Sequence, residues 1–332
     1  MITPRRTRLI RVPDIRAFRR AVVSLSSETP QDLFRSVAVI VPTRAAAAEL
    51  RRSVPSADII TRDDLYANLN ARLAEPLRVL TTLEREVVLQ SAAKDAIASG
   101  QAPPFDVRPG LVAEMLRFYD QLRRQGQSVQ RFEELIGERL EGDEDRGAVR
   151  LLEQTRFLTA SFRSYEARLQ DSGAVDEHVL RARLLSTPAS SPLTDVVVAV
   201  GDWIADAHGL AAVDFDLLTR LAGLERIDIV STQWLLQSGL HQRLHEWLPG
   251  VEEIDAASLG IQPSPGPRQL VVPRSRDREE ELVAVAKRLK ADPVDPERVA
   301  VVFERPLPYL YIAREVFGGA QIPYQTDDAL PL

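Results

Sequence analysis

The sequence predicts an α/β protein: a parallel sheet interrupted by a large helical insertion. Three stretches carry that expectation. Val37–Val41 is a short run rich in β-branched apolar residues, the pattern of a strand buried on both faces of a parallel sheet. Asp195–Gly201 (DVVVAVG) is the most strand-like run in the chain, apolar enough to lie centrally. Between them, from Thr81 to about Leu185, short strands give way to long helices.

A chain of 332 residues with 45% hydrophobic content has material for two ordinary cores. It has no apolar run long enough to span a bilayer, and its start lacks the apolar region of a signal peptide, so no membrane partner is expected and the protein reads as cytoplasmic. The absence of cysteine excludes disulfides, thiolate catalysis and cysteine-ligated metal from this stretch. A net charge of −6 argues against a globally basic nucleic-acid binder but leaves room for a local basic groove, since Arg greatly outnumbers Lys.

Taken in order, Thr7–Val12 reads as a first strand and Asp14–Leu25 as an Arg-rich amphipathic helix. The turn between them, Val12-Pro13-Asp14-Ile15-Arg16, has neither the glycines nor the lysine of a phosphate loop, and Asp14 sets a negative charge where phosphates would lie. ATP binding is therefore not expected there. After Val37–Val41, Pro42 ends the strand and Thr43 caps a helix whose alanines and Leu50 face inward while Arg44, Arg51 and Arg52 face out. Ala57–Thr61 and the helix from Arg62 to Leu73 repeat that Thr-Arg arrangement. Two readings of Thr43, Arg44, Thr61 and Arg62 stand open: phosphate donors on one rim of the sheet, or plain caps with solvated arginines.

In the helical block, Thr81 and Glu84 form a capping-box signature. Helices are predicted at Val107–Gln125, Val129–Leu140 and Ala148–Asp171, the last two separated by an acidic turn at Glu141–Gly147. Phe118, Tyr119, Phe132, Phe157, Phe162 and Tyr165 read as core. A Pro- and Ser-rich linker, Ser186–Thr194, leads back to the sheet. The strand after it ends in Gly201-Asp202-Trp203, where a working helicase-type ATPase needs an acidic pair for magnesium and water, so Asp202 reads as a turn or helix-start residue.

A helix at Ala207–Leu221, a strand at Ile227–Val230 and a polar turn at Ser231–Trp234 follow. Trp203 and Trp234 both stand at strand ends, positioned either to stack a base or to pack under a loop. His241 and His245 share a helical face, but no third ligand is apparent in the sequence, so no metal is expected. Beyond a linker at Gly260–Pro267 lies a second α/β unit. Its strands are predicted at Gln269–Val272, Val299–Phe303 and Ile322–Gln325, its helices at Asp277–Lys290 and Leu307–Phe317, and it reads as cut from a longer domain.

The succession VIVPTRAAAAELRR, ADIITRDDLY, TTLEREVVL, a helical block ending in DSGAVDEHVL, DVVVAVGDW, RDREEELVAVAKRLK with VAVVFERP, and GGAQIPYQTDD resembles the amino-terminal region of AddB/RexB-type subunits of bacterial helicase–nucleases. The resemblance implies a degenerate RecA-like (P-loop NTPase-like) domain 1A over 1–80 plus 187–260. It also implies a helical 1B insertion over 81–186 and the beginning of a second RecA-like domain, 2A, over 268–332. In function it implies an inactivated helicase region for DNA repair by homologous recombination. Such a region holds single-stranded or forked DNA while an AddA-like helicase–nuclease partner translocates.

By position, Pro42, Thr43 and Arg44 match the motif that touches single-stranded DNA in active helicases, Thr61 and Arg62 the strand end after it, and Arg305 an arginine that reaches nucleotide phosphate. The missing phosphate loop and acidic pair depart from active enzymes, so a scaffold without ATP hydrolysis or any cofactor is expected here. Magnesium and an iron–sulfur cluster belong, by the same resemblance, to a carboxy-terminal PD-(D/E)XK nuclease domain of an exonuclease subunit, which does not lie within these residues. The two competing expectations are a divergent but working ATPase and a purely structural protein-interaction module.

Overall fold

The computed structural model describes residues 5–27, 36–54, 57–140, 145–187, 193–204, 206, 208–261, 277–291, 299–303 and 306–325. They form two compact units, divided between Ser264 and Pro265.

The first unit is an α/β domain with a six-stranded, wholly parallel sheet. In chain order it holds β1 (Arg6–Val12), α1 (Ile15–Ser27), β2 (Ser36–Ile40), α2 (Arg44–Arg51), β3 (Asp58–Ile60) and α3 (Arg62–Ala71). Next come α4 (Thr82–Ala98), α5 (Pro109–Arg124), α6 (Val129–Leu140), α7 (Arg146–Ser172) and α8 (Glu177–Ser186). The chain then returns to the sheet through β4 (Leu193–Val198), α9 (Ala212–Arg220), β5 (Arg226–Thr232), α10 (Gln233–Leu235), α11 (His241–Trp247) and β6 (Glu252–Asp255). The spatial order is β3-β2-β4-β5-β1-β6.

Alternation along the strands divides the core in two. Leu9, Ile40, Val196, Val198, Ile227 and Ile229 face α3, α8, α9 and α11, where they meet Leu65, Leu180, Phe215 and Leu244. Ile10, Val12, Val39, Val197 and Val230 face the other way, onto Ala17, Ala21 and Leu25 of α1 and Ala47 of α2. Burial on both faces is why these strands read as continuous apolar runs. A third core sits inside the helical insertion, where Leu89, Met115, Tyr119, Phe157, Phe162 and Tyr165 pack together. Buried Arg85 binds that bundle by donating to Asp120 of α5 and to the Tyr165 hydroxyl of α7. No helix among the described residues is long and apolar enough to cross a membrane.

Two ion pairs lie across the central strands. Arg8 of β1 and Asp228 of β5 are register partners and form a bidentate pair, both contacts 2.6 Å, with both side chains buried. Arg226 and Asp195, register partners one strand further on, meet at 2.7 Å. Arg226 also donates to the Leu25 carbonyl at the end of α1. A shift of one residue would move each pair to opposite faces, so the ion pairs fix the register of three central strands.

Several boundaries differ from the sequence expectation. The helix expected from Ala207 begins at Ala212, because Gly209 and Leu210 fold back on the end of β4. Leu210 N–H donates to Gly201 at 3.0 Å and Trp203 N–H to Leu210 at 3.1 Å. Only glycine fits at 209, since a Cβ there would lie 2.2 Å from the Asp202 carbonyl carbon. Strand β4 begins at Leu193, inside the expected linker, and β6 was not expected at all. The sheet's edges carry polar cover: β3 is three residues long, with the Arg51 guanidinium donating to the Ile59 carbonyl, and β6 is acidic.

In the second unit, α12 (Arg278–Ala291) and α13 (Pro306–Gly319) pack through Leu282, Val285 and Ala286 against Ala313 and Phe317. Residues 299–303 and 322–325, expected as strands, join no sheet among the described residues. A strand exists only by pairing, and the expected partner at 269–272 lies outside the described residues, as do Arg305 and 141–144 of the acidic turn.

Replacing Asp228 with Ala strands a buried guanidinium and is expected to cost about 3–5 kcal/mol in urea unfolding. The double change Arg8→Met with Asp228→Leu, which removes both charges together, should cost less than Asp228→Ala alone.

Candidate functional site

Because all six strands are parallel, their carboxyl ends share one rim, where ligands gather in open α/β sheets. In spatial order the rim presents Thr61-Arg62 after β3, Thr43-Arg44 after β2, Asp202-Trp203 after β4, Thr232 at the end of β5 with Trp234 after it, and Pro13-Asp14 after β1. The chain leaves β1 and β2 towards one face, but leaves β4 and β5 towards the other. Crevices therefore open between β1 and β5 and between β2 and β4.

The first crevice is closed to an anion by the chain itself. Asp14 caps α1: its Oδ1 accepts from the Arg16 and Ala17 N–H groups at 2.8 and 2.7 Å. Those first-turn amides are the donors that a phosphate uses at a helix N-terminus. A carboxylate already occupies them, and its charge would repel a triphosphate.

The second crevice is closed by pairing. The Asp202 carboxylate is 0% exposed and receives both Nε and Nη2 of Arg243, the latter at 3.0 Å. Arg243 reaches it from α11, after a kink at Gly239 whose backbone is left-handed (φ 88°). Asp202, expected in a turn or at a helix start, instead forms an isolated parallel bridge with Leu210 just before the turn at 203–204, and it is one half of an ion pair that sequence reasoning did not find. A carboxylate matched in this way is not presented to a magnesium ion.

The two threonines are caps. Thr43 Oγ1 accepts from Ala46 N–H at 3.1 Å, and Thr61 forms a reciprocal capping box with Asp64. Arg44 remains on the rim with its side chain 87% exposed, 3.9 Å from Asp64. Trp234 is 78% exposed. Trp203 is half-buried and lines a cleft of about 580 Å³ with Thr82 and Glu86 of α4, Arg117 and Arg124 of α5, and Arg62.

Arg62 corrects the expectation of an open phosphate donor. Its guanidinium is nearly buried: Nε and Nη2 donate to Asp214 at 2.7 and 3.0 Å, and Nη1 to Glu177 at 2.8 Å. Tyr66 donates to Asp214 at 2.7 Å and lies beneath the guanidinium, while Arg124 of α5 donates to Glu177 at 2.7 and 3.2 Å. Arg62 therefore joins α3, α8 and α9, and through Glu177 also α5.

The electrostatics follow from that closure. Burial pushes the Arg62 guanidinium down, but Asp214 and Glu177 outweigh it, so its value is raised and it stays charged. Burial pushes the Glu177 carboxyl up, and Arg62 with Arg124 overcomes this, leaving it well below the usual carboxylate range. The Tyr66 hydroxyl is pushed up by burial and by the charge of Asp214.

No family model matches the chain, and no curated protein matches its sequence. Sequence reasoning missed Asp214, Glu177, Arg124 and Arg243. A signal existed for Glu177 and Asp214 alone: each is an acidic residue in the first turn of its helix.

The folded-state value of Glu177 lies below its unfolded value of about 4.3, so its contribution is full above that pH and is lost as pH falls through the folded value. Acidification below about pH 4 should lower the urea midpoint, and Glu177→Gln should make that part of the profile shallower.

Proposed function

We propose that this chain is a catalytically silent helicase-like scaffold of RecA-like build that holds single-stranded DNA along the carboxyl rim of its sheet. It serves beside a separate, AddA-like motor subunit in a double-strand-break repair nuclease of the AddB type. The observation that carries this reading is the closure of both nucleotide positions by the chain's own side chains, Asp14 on the α1 amides and Arg243 on Asp202, while Arg44 and Trp234 stay open on the same rim.

The strand order supports the RecA-like build. Strand β5 lies between β1, which precedes the turn where a phosphate loop would sit, and β4, which runs towards the acidic position. Arg44 and Trp234 combine the two elements of sequence-tolerant single-strand binding, a cation for phosphate and an aromatic face for a base. Thr43 and Thr61 shape the turns, and Arg62 holds the helical insertion against the sheet. Trp203 walls the cleft beside Arg117, next to the rim.

The working-ATPase alternative needs an open phosphate site, which Asp14 fills. The protein-interaction alternative draws on exposed Ile15 and Ile204, apolar residues on strand ends that neighbour those bearing Trp234 and Arg44.

Fluorescence anisotropy with a labelled single-stranded oligonucleotide tests the proposal. Binding should weaken with salt, and Trp234→Ala should reduce affinity by about 5- to 150-fold, the equivalent of roughly 1–3 kcal/mol for one stacked base. Arg44→Ala should lower the slope of log affinity against log salt by about 1. Absence of binding, or binding unmoved by both changes, favours a rim that meets only protein.

Calorimetric titration with magnesium-ATP should give no saturable heat. A stoichiometric nucleotide site would overturn the silent reading.

A further inference from the structure

At the far edge of the sheet the fold completes a constellation that the sequence offered only in part. His241 and His245 lie one turn apart on α11, with ring centroids 4.7 Å apart. The third group comes from β6, which pairs in parallel with β1 and sets Glu253 opposite Leu9. Glu253 Oε1 lies 2.7 Å from His241 Nε2 and 2.8 Å from His245 Nε2, so three donor atoms from two elements converge on one point. All three side chains are about one-third exposed, which leaves the point accessible to a hydrated ion.

We propose that His241, His245 and Glu253 form a binding site for a divalent transition-metal cation of the zinc class. Two imidazole nitrogens and one carboxylate oxygen are a ligand set that zinc accepts, with a water completing a tetrahedron. Bonds of roughly 2.0–2.2 Å place tetrahedral ligands roughly 3.3 Å apart, so the observed spacings need to widen by about half an ångström. Side chains at the surface have that freedom.

His241 Nε2 has more close polar neighbours than its one proton or one lone pair can serve. Arg11 lies on β1, next to β6; its Nη2 approaches His241 Nε2 at 2.8 Å and pairs with Glu253 Oε2. A neutral imidazole nitrogen cannot accept from Arg11 and also donate to Glu253. With a cation between the two Nε2 atoms and Oε1, both rings give their lone pairs to the metal and Arg11 Nη2 gives up its approach to His241. Arg11 keeps Oε2 and orients the carboxylate from the outer shell.

The other convergent group, Asp120, Glu177 and His178, differs in kind. Its carboxylates are already matched by Arg85, Arg62 and Arg124.

The test uses the whole chain stripped of metal and titrated with Zn²⁺ alone by calorimetry, and with Co²⁺ followed by visible absorption. One equivalent should bind, with cobalt showing the intense bands of tetrahedral coordination. Loss of an outer-shell partner alone costs 10- to 100-fold in affinity, so His245→Ala and the near-isosteric Glu253→Gln should each weaken binding at least about tenfold. Absence of saturable binding, or binding unchanged in the His241→Ala plus His245→Ala variant with circular dichroism like that of the parent, overturns the site. Binding of the oligonucleotide by these variants should match the parent, which separates this outcome from that of the rim.

Discussion

The arrangement of the first unit depends on one guanidinium. Arg62 opens α3 at the end of β3, yet its partners come from much later in the chain, Glu177 at the start of α8 and Asp214 in the first turn of α9. Between Arg62 and Asp214 the chain builds the whole helical insertion and returns to the sheet. A buried ion network is a weak source of net stability, because desolvation offsets most of the attraction. What it supplies is discrimination: a docking that leaves Arg62, Glu177 or Asp214 without its partner strands a charge. Apolar packing among α3, α8 and α9 is non-directional, whereas the charges have to meet pair by pair.

The same logic governs the rim. Each place where an ion would be bound in a nucleotide-hydrolysing α/β protein is answered from within, a carboxylate on the helix amides and a guanidinium on the acidic residue. Neither pairing disturbs the backbone plan of strand, turn and helix. A phosphate site is a small set of unsatisfied donors on a rigid frame, and satisfying them locally silences the site while the frame persists. Arg44, whose only ion contact among the described residues is with Asp64 at 3.9 Å, and Trp234 remain exposed on that rim, and the proposed single-strand binding draws on them.

The apolar strands were legible because burial on both faces leaves a local mark, as Val37–Val41 and Asp195–Gly201 show. The caps at Thr43, Thr61 and Thr81 were legible because a capping side chain bonds within three residues of itself. Arg62 was not: its exposure depends on partners more than a hundred residues away, and a Thr-Arg pair looks the same whether the arginine faces solvent or a carboxylate. Arg44, with the same local sequence signal, stayed exposed because the acidic group near it is Asp64 at 3.9 Å, itself engaged in the Thr61 box. Strand β6 escaped notice because an edge strand needs no apolar alternation, and Glu252-Glu253-Ile254-Asp255 shows almost none. With β6 unseen, Glu253 had no place beside the two histidines.

The two borders of the sheet have a consequence for how this protein meets others of its kind. On one side a strand of three residues has the Ile59 carbonyl taken by Arg51, and on the other the terminal strand is lined with carboxylates. Foreign backbone seeking to extend the ladder finds an acceptor already engaged at one border and like charges at the other. Self-recruitment into continuous β-structure is thereby discouraged, so assembly in a crowded cell is left to side chains on helices and rim, where chemistry can choose the companion.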